Sequence, residues 1–281
     1  MARPFGLRQG IHMRPIFVRL SWGALLLVLT TFVPGCMWTG PSAEDIKVAE
    51  AEYGLANDAF RRQKYRLALE HVEKALERDD SNTDAAYLGA MVMLVFCAQD
   101  EQSTDCRYEK AEQFVRMALD AKPEMRDAQN ALGVILVHMD RSSEAIEVLE
   151  PLSKDMLYSS PEKAWGNLGW ALLESDRVDD AIPALKRAVA AQPLFCVGHY
   201  RLGVAYQRKK QLKAARQAFT RAVGIEEGAC SRLQVAFWER ARVQKQLGMV
   251  EEMRSDLEKC RDLGKMSAVG KKCSARLARG R

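Results

Sequence analysis

Asn167-Leu-Gly-Trp-Ala-Leu172, with Asp180-Ala181, Ala188 and Pro193 behind it, decides how the chain folds, because the pattern returns one period later. Tyr200-Arg-Leu-Gly-Val-Ala-Tyr206 is followed by Ala215, Phe219 and Ala222, so Gly203, Ala215 and Ala222 each lie 34 residues after Gly169, Ala181 and Ala188. Working outward, units that start at Ala49, Thr83, Arg126, Glu162, Cys196 and Gln234 bring six copies into register. Their eighth positions are Ala56, Ala90, Gly133, Gly169, Gly203 and Ala241, and their twentieth are Ala68, Ala111, Ala145, Ala181, Ala215 and Met253. The twenty-fourth positions are all apolar: Val72, Val115, Leu149, Leu185, Phe219 and Leu257. The twenty-seventh are Ala75, Ala118, Leu152, Ala188, Ala222 and Cys260, and Pro123 and Pro193 close the second and fourth units. Two antiparallel helices approach closely only where a side chain is tiny, so the Gly and Ala positions mark the crossing and the larger aliphatics fill the groove beside it. Each helix pair buries its outer faces only against the next, so several pairs must stack. The chain is therefore expected to be all-α.

This pattern resembles the tetratricopeptide repeat, a helix–turn–helix of 34 residues. The resemblance implies a right-handed α-solenoid of about six repeats, at 49–82, 83–125, 126–159, 162–195, 196–229 and 234–267. The first and last copies are weak, as expected of ends that face solvent. Nine extra residues separate the helices of the second repeat, Ser160 and Pro161 precede the fourth, and Cys230–Leu233 precede the sixth. Residues 268–281, with Lys271, Lys272, Arg276, Arg279 and Arg281, are expected to form a short capping helix and a basic tail.

Residues 1–35 read as a secretion signal that is removed. Arg14 and Arg19 precede the apolar run Trp22–Phe32, which is shorter than the roughly 20 residues a spanning helix needs. Met13 as the start would give a more usual signal length. Val33-Pro-Gly-Cys36 resembles a lipobox, which implies cleavage before Cys36 and lipid attachment to it. Several acyl chains give durable anchoring where one does not. Met37, not Asp, follows Cys36, which in Gram-negative lipoproteins implies the outer membrane, with the repeats in the periplasm. Residues 36–48 are expected to be a lipidated tether. The net charge of +5 owes four units to Arg3, Arg8, Arg14 and Arg19; the other 38 basic residues nearly balance 37 acidic ones. That balance argues against nucleic acid as a partner, since phosphate contacts call for clustered cations.

Apart from Cys36, six cysteines remain. Cys97 and Cys106 flank the insertion of the second repeat, where a bridge would staple the long hairpin. Cys196 starts the first helix of the fifth repeat and Cys230 follows its second, so the two share one edge of an antiparallel pair. Cys260 and Cys273 are left for the last repeat and the cap. Three disulfides, 97–106, 196–230 and 260–273, are the expectation; six buried free thiols are the alternative. No Cys-x-x-Cys pair occurs, and His71, His138 and His199 fall far apart along the stack, so no metal site is expected. Neither Gly-x-Ser-x-Gly nor a phosphate-cradling Gly loop nor His-Glu-x-x-His is present. Asp179-Asp180 and Glu251-Glu252 sit at the starts of second helices, where they complement the helix dipole. No enzyme, cofactor or small-molecule substrate is expected.

The repeat resemblance also implies a working surface, lined by the first helices through positions 2, 5, 9, 12 and 13. Carried onto this chain, it gives Tyr53 and Phe60; Tyr87, Met91, Leu94 and Val95; Val134 and Val137; Trp170 and Leu173; and Tyr200 and Val204. The sixth repeat turns basic, with Trp238, Arg242 and Lys245. Such an apolar strip calls for a docked partner, with an amphipathic helix as the natural ligand. The alternative is that curvature or the insertion covers part of the strip.

A lipobox followed by six such repeats resembles the pilotins of type IV pilus systems, the group called PilF, PilW or Tgl. The stretch Ser153-Lys-Asp155-Met-Leu157-Tyr158-Ser-Ser-Pro161-Glu-Lys-Ala-Trp-Gly-Asn167-Leu-Gly169 resembles that family's Asp-x-Leu-Tyr, short link and Asn-Leu-Gly. Asn130-Ala-Leu-Gly133 matches its style, whereas the cysteine set and the insertion look more like the delta-proteobacterial Tgl branch. The resemblance implies an outer-membrane lipoprotein that binds secretin subunits and promotes their assembly into a multimer for pilus biogenesis. Two other classes compete with it: a periplasmic scaffold for cell-wall enzymes and a component of outer-membrane protein assembly.

Overall fold

The computed structural model describes residues 40–279. Cys36, the lipobox and segment 1–35 lie outside the described residues, as does the end of the basic tail at Arg281. The described residues contain thirteen α-helices and no strand. They pair in chain order as α1 (Ala43–Arg61) with α2 (Tyr65–Arg78), α3 (Thr83–Gln99) with α4 (Tyr108–Ala121) and α5 (Arg126–His138) with α6 (Ser142–Lys154). The next pairs are α7 (Pro161–Glu174) with α8 (Val178–Ala191), α9 (Cys196–Arg208) with α10 (Leu212–Val223) and α11 (Gln234–Gln246) with α12 (Val250–Leu263). A short 3-10 helix, Gly228–Arg232, precedes α11, and α13 (Ala268–Ala278) packs on α11 and α12 as a cap. Each helix packs on its hairpin partner and on the hairpin that follows. No helix among the described residues is long and apolar enough to cross a membrane.

One boundary departs from expectation. The tether expected over 36–48 ends early, because α1 starts at Ala43 and takes in residues 43–48. A capping box explains the start. The Ser42 hydroxyl accepts from the Asp45 N–H at 3.1 Å, and the Asp45 carboxylate accepts from the Ser42 N–H at 3.3 Å. Two orphan donors are satisfied before the repeat pattern begins.

The core is built from complementary volumes. Ala56, Ala90, Gly133, Gly169, Gly203 and Ala241 are all buried at the hairpin crossing. Leu149, Leu185 and Phe219 fill the notches left by Gly133, Gly169 and Gly203, while the three Ala hairpins carry Val72, Val115 and Leu257 at the same position. A Cβ on Gly203 would stand 2.5 Å from the Phe219 ring, closer than any real contact.

The hairpin turns share a second device. Gln63, Asp140, Asp176, Lys210 and Gly248, each the fifteenth residue of its repeat, have φ between +57° and +75°. The next residue's N–H reaches back to a helix carbonyl in every case, as from Lys64 to Ala59 (2.9 Å) and from Arg177 to Leu172 (2.8 Å). These are Schellman closures. In the second repeat this position is Cys97, inside the longer α3.

Candidate protein-docking face

Adjacent first helices touch one another, α5 with α7 and α7 with α9 most closely, whereas successive second helices do not make comparable contact. The first helices therefore lie on the inner side of the curve, and residues at their positions 5 and 9 face that side.

Of the twelve strip residues expected, Tyr53, Phe60, Tyr87, Met91, Leu94, Val95, Val134, Trp170, Tyr200 and Val204 are half-buried. The other two need correction: Val137 and Leu173 are 4% and 1% exposed and belong to the core. Both occupy position 12. At about 100° per residue, position 12 stands only about 40° around the helix from the buried position 8, so the neighbouring hairpin covers it. In α3 the equivalent Leu94 keeps a solvent-facing side.

The end of the insertion reaches the inner face at the middle of the strip. Cys97 and Cys106 are joined, with Cα atoms 4.4 Å apart, and the stapled loop brings Tyr108 over His138, where the rings stack at 4.7 Å. His138 meets Trp170 edge-on at 4.9 Å, and the Arg201 guanidinium lies over the Trp170 ring, 4.5 Å from its centroid. Four repeats are thus crossed by one ladder, Tyr108–His138–Trp170–Arg201. Arg201 also donates to the Asn167 side chain (2.7 Å) and to the Gly166 carbonyl (3.1 Å), and Asn167 donates to Asn130 (2.9 Å). Burial lowers the His138 pKa below its usual value, partly opposed by Glu101, so the ring stacks uncharged at neutral pH. Burial also brings the Arg201 pKa down to about 10, which still leaves the guanidinium charged. Burial, with Glu101 beside the hydroxyl, pushes Tyr108 up to about 12. The ladder divides the strip into an apolar part on α1 and α3 and a mixed cleft of about 710 Å³, where Tyr200 and Val204 meet Glu174, Arg208, Glu239 and Arg242.

The other cysteines form the bridges Cys196–Cys230 and Cys260–Cys273, with Cα separations of 5.8 and 6.2 Å. His71 hydrogen-bonds Glu52 at 2.6 Å and His199 meets the Pro193 carbonyl at 2.9 Å, so both have structural roles.

A second surface feature was not visible in the repeat pattern. Met156 and Leu157 are 98% and 78% exposed, side by side in the link before α7. Their backbone is held firmly. Asp155 accepts from the Leu157 N–H (2.8 Å) and from Arg126 (2.6 Å), and the buried Tyr158 donates to Asp127 at 3.2 Å. The Asp-x-Leu-Tyr stretch is thus a bracket that presents two apolar side chains to solvent.

The tetratricopeptide-repeat family model matches residues 53–92 and 167–229. No curated protein matches the chain. Among solved structures, PilW, described as a widely conserved type IV pilus biogenesis factor, is similar with a TM-score of 0.65 and 22% identity, over 80% of this chain and 98% of that one. Pseudomonas aeruginosa PilF is similar with a TM-score of 0.62 and 18% identity, over 83% of this chain and 99% of that one. YrrB, a tetratricopeptide-repeat protein with an unusual peptide-binding site, reaches 0.50 at 24% identity, over 65% of this chain and 89% of that one. Identities this low speak to fold: the chain is an all-α solenoid of tetratricopeptide repeats, an architecture that serves as a scaffold for protein interaction.

Proposed function

We propose that the protein is an outer-membrane lipoprotein adaptor of type IV pilus biogenesis, anchored by lipid on Cys36, that binds secretin subunits with its inner face and promotes their assembly. The observation that carries the reading is a fold match over nearly the full length of both PilW and PilF. The half-open apolar surface of Tyr53, Phe60, Tyr87, Met91, Leu94 and Val95 supports it by offering room for an apolar segment of a protomer. The lipid concentrates the adaptor at the membrane, and the docked segment is kept from aggregating until the ring closes. Binding energy alone does this work, without nucleotide.

Leu94→Glu combined with Tyr87→Glu is the direct test, because both side chains face solvent in part and both can be charged without breaking the core. The expected result is at least a tenfold loss of secretin multimer on immunoblots and loss of surface pili, with unchanged helical circular dichroism. Normal multimer in this variant, and in a strain lacking the protein, would overturn the proposal. Rounded or lysing cells with normal pili would move the assignment to a cell-wall scaffold, and general depletion of barrel proteins would move it to outer-membrane protein assembly.

A further inference from the structure

At the far end of the inner face, α11, α12 and α13 enclose a cleft of about 340 Å³. Its base is apolar: Ala241 and Leu257 are buried, and Trp238 and Met253 are half-buried. Around it stand Arg242, Lys245 and Arg276, and no carboxylate lines it. Arg242 is paired with Glu239 at 2.7 Å. Lys245 and Arg276 have no ion-pair partner among the described residues, and Arg276 is half-buried all the same. Its position is fixed covalently. Arg276 follows Cys273 by three residues, on the same side of α13, and Cys273 is bonded to Cys260 of α12.

Two cations without an ion-pair partner beside an apolar floor offer a site to an anion carried on an apolar group. A bare phosphate would satisfy the cations but leave the Trp238 and Met253 surfaces open to water. The cleft instead fits a ligand with both parts, a carboxylate beside a large apolar group. Its volume sits at the low end of the range of about 300–1,000 Å³ typical of ligand cavities, enough for one or two side chains. Trp238, Arg242 and Lys245 occupy positions 5, 9 and 12 of α11, so the cleft continues the inner face beyond the ladder.

We propose that this cleft is a second anchor for the protein partner, taking an acidic segment in which an Asp or Glu lies one helical turn from an aromatic or large aliphatic side chain. The inference rests on the docking role of the inner face, and it adds a basic terminus that orients the docked segment: the acidic end lies over the sixth repeat and the apolar end over the first two.

The test uses the full chain in detergent and end-blocked, fluorescein-labelled helical peptides read by anisotropy. One peptide carries Glu and Phe four residues apart; its controls carry Gln with Phe, and Glu with Ser. The Glu/Phe peptide is expected to bind, with either control weaker by about tenfold. Lys245→Gln with Arg276→Gln is expected to weaken it by a similar factor, and rising salt should weaken it further. Cys260→Ser with Cys273→Ser is expected to lower affinity by releasing Arg276. Lys154→Ala, at an exposed pair away from the cleft, should leave this binding intact, and the peptide assay contains no secretin, so the anchor and the docking role of the first repeats fail separately. Equal binding of the Glu and Gln peptides, undiminished binding by the Lys245/Arg276 variant, or no binding at millimolar peptide would overturn the proposal. So would loss of phosphatidylglycerol-vesicle binding in that variant with peptide binding unchanged, which would give these cations to lipid.

Discussion

Asp256→Ala is expected to destabilise the protein by about 3–5 kcal/mol in urea unfolding, more than any other single charge deletion in the stack. Asp256 and Arg240 are only 6% and 16% exposed and form a two-point pair, at 2.6 and 2.7 Å. Arg240 also donates to Thr220 on α10 at 3.2 Å and lies 5.8 Å from the Phe237 ring, so it ties the fifth repeat to the sixth. Removing the carboxylate strands a buried guanidinium, and its uncompensated desolvation dominates the loss. Removing both charges should be far milder: Asp256→Leu with Arg240→Met is expected to stay close to the parent, because a buried pair contributes little beyond what packed apolar groups would give. The exposed Lys154–Glu150 pair serves as the control, and its loss should be undetectable. If Asp256→Ala unfolds with the parent's midpoint, the pair has no structural weight and the account is wrong.

Phe219→Ala should cost about 3–5 kcal/mol, because the ring is fully buried and fills the notch over Gly203. Gly203→Ala is expected to destabilise as well, by about 1–3 kcal/mol, despite alanine's better helix propensity, since the added methyl has no space beside that ring. The informative measurement is the double variant. With the ring gone, the new methyl enters the cavity, so the combined loss should fall well short of the sum of the singles. Strict additivity would show that the two positions are not a packing pair. Because each hairpin leans only on its neighbours, hydrogen exchange should report the damage in α9–α12 first, with α1–α4 protected as before.

The period of 34 residues made most of this architecture legible. Six crossing points, their apolar partners and the Cys196–Cys230 pairing follow from one register, because an antiparallel hairpin fixes which residues share an edge; Cys97–Cys106 is read from the insertion and Cys260–Cys273 is what remains. The misses concern things that a register does not contain. Val137 and Leu173 occupy nominal groove positions, but their burial depends on how closely the next hairpin approaches. The Tyr108–His138–Trp170–Arg201 ladder depends on the path of an irregular loop, and the Arg240–Asp256 pair joins residues 16 apart across a turn. Ser42 and Asp45 start α1 six residues before the first repeat, by a local capping box that a 34-residue period does not carry.

The strained hairpin corners have a practical consequence. Gln63, Asp140, Asp176 and Lys210 adopt a left-handed backbone that costs an L-residue about 1–2 kcal/mol, and Gly248 shows that the same corner accepts glycine. Glycine also loosens the unfolded chain, so each swap should return a net gain of up to about 1 kcal/mol. Gln63, Asp140 and Asp176 lie far apart and away from the inner strip, whereas Lys210 lines the mixed cleft and is best left alone. A triple glycine variant at Gln63, Asp140 and Asp176, checked by its melting temperature, would therefore be a hardier reagent for long incubations with detergent-extracted partners, with its docking chemistry untouched.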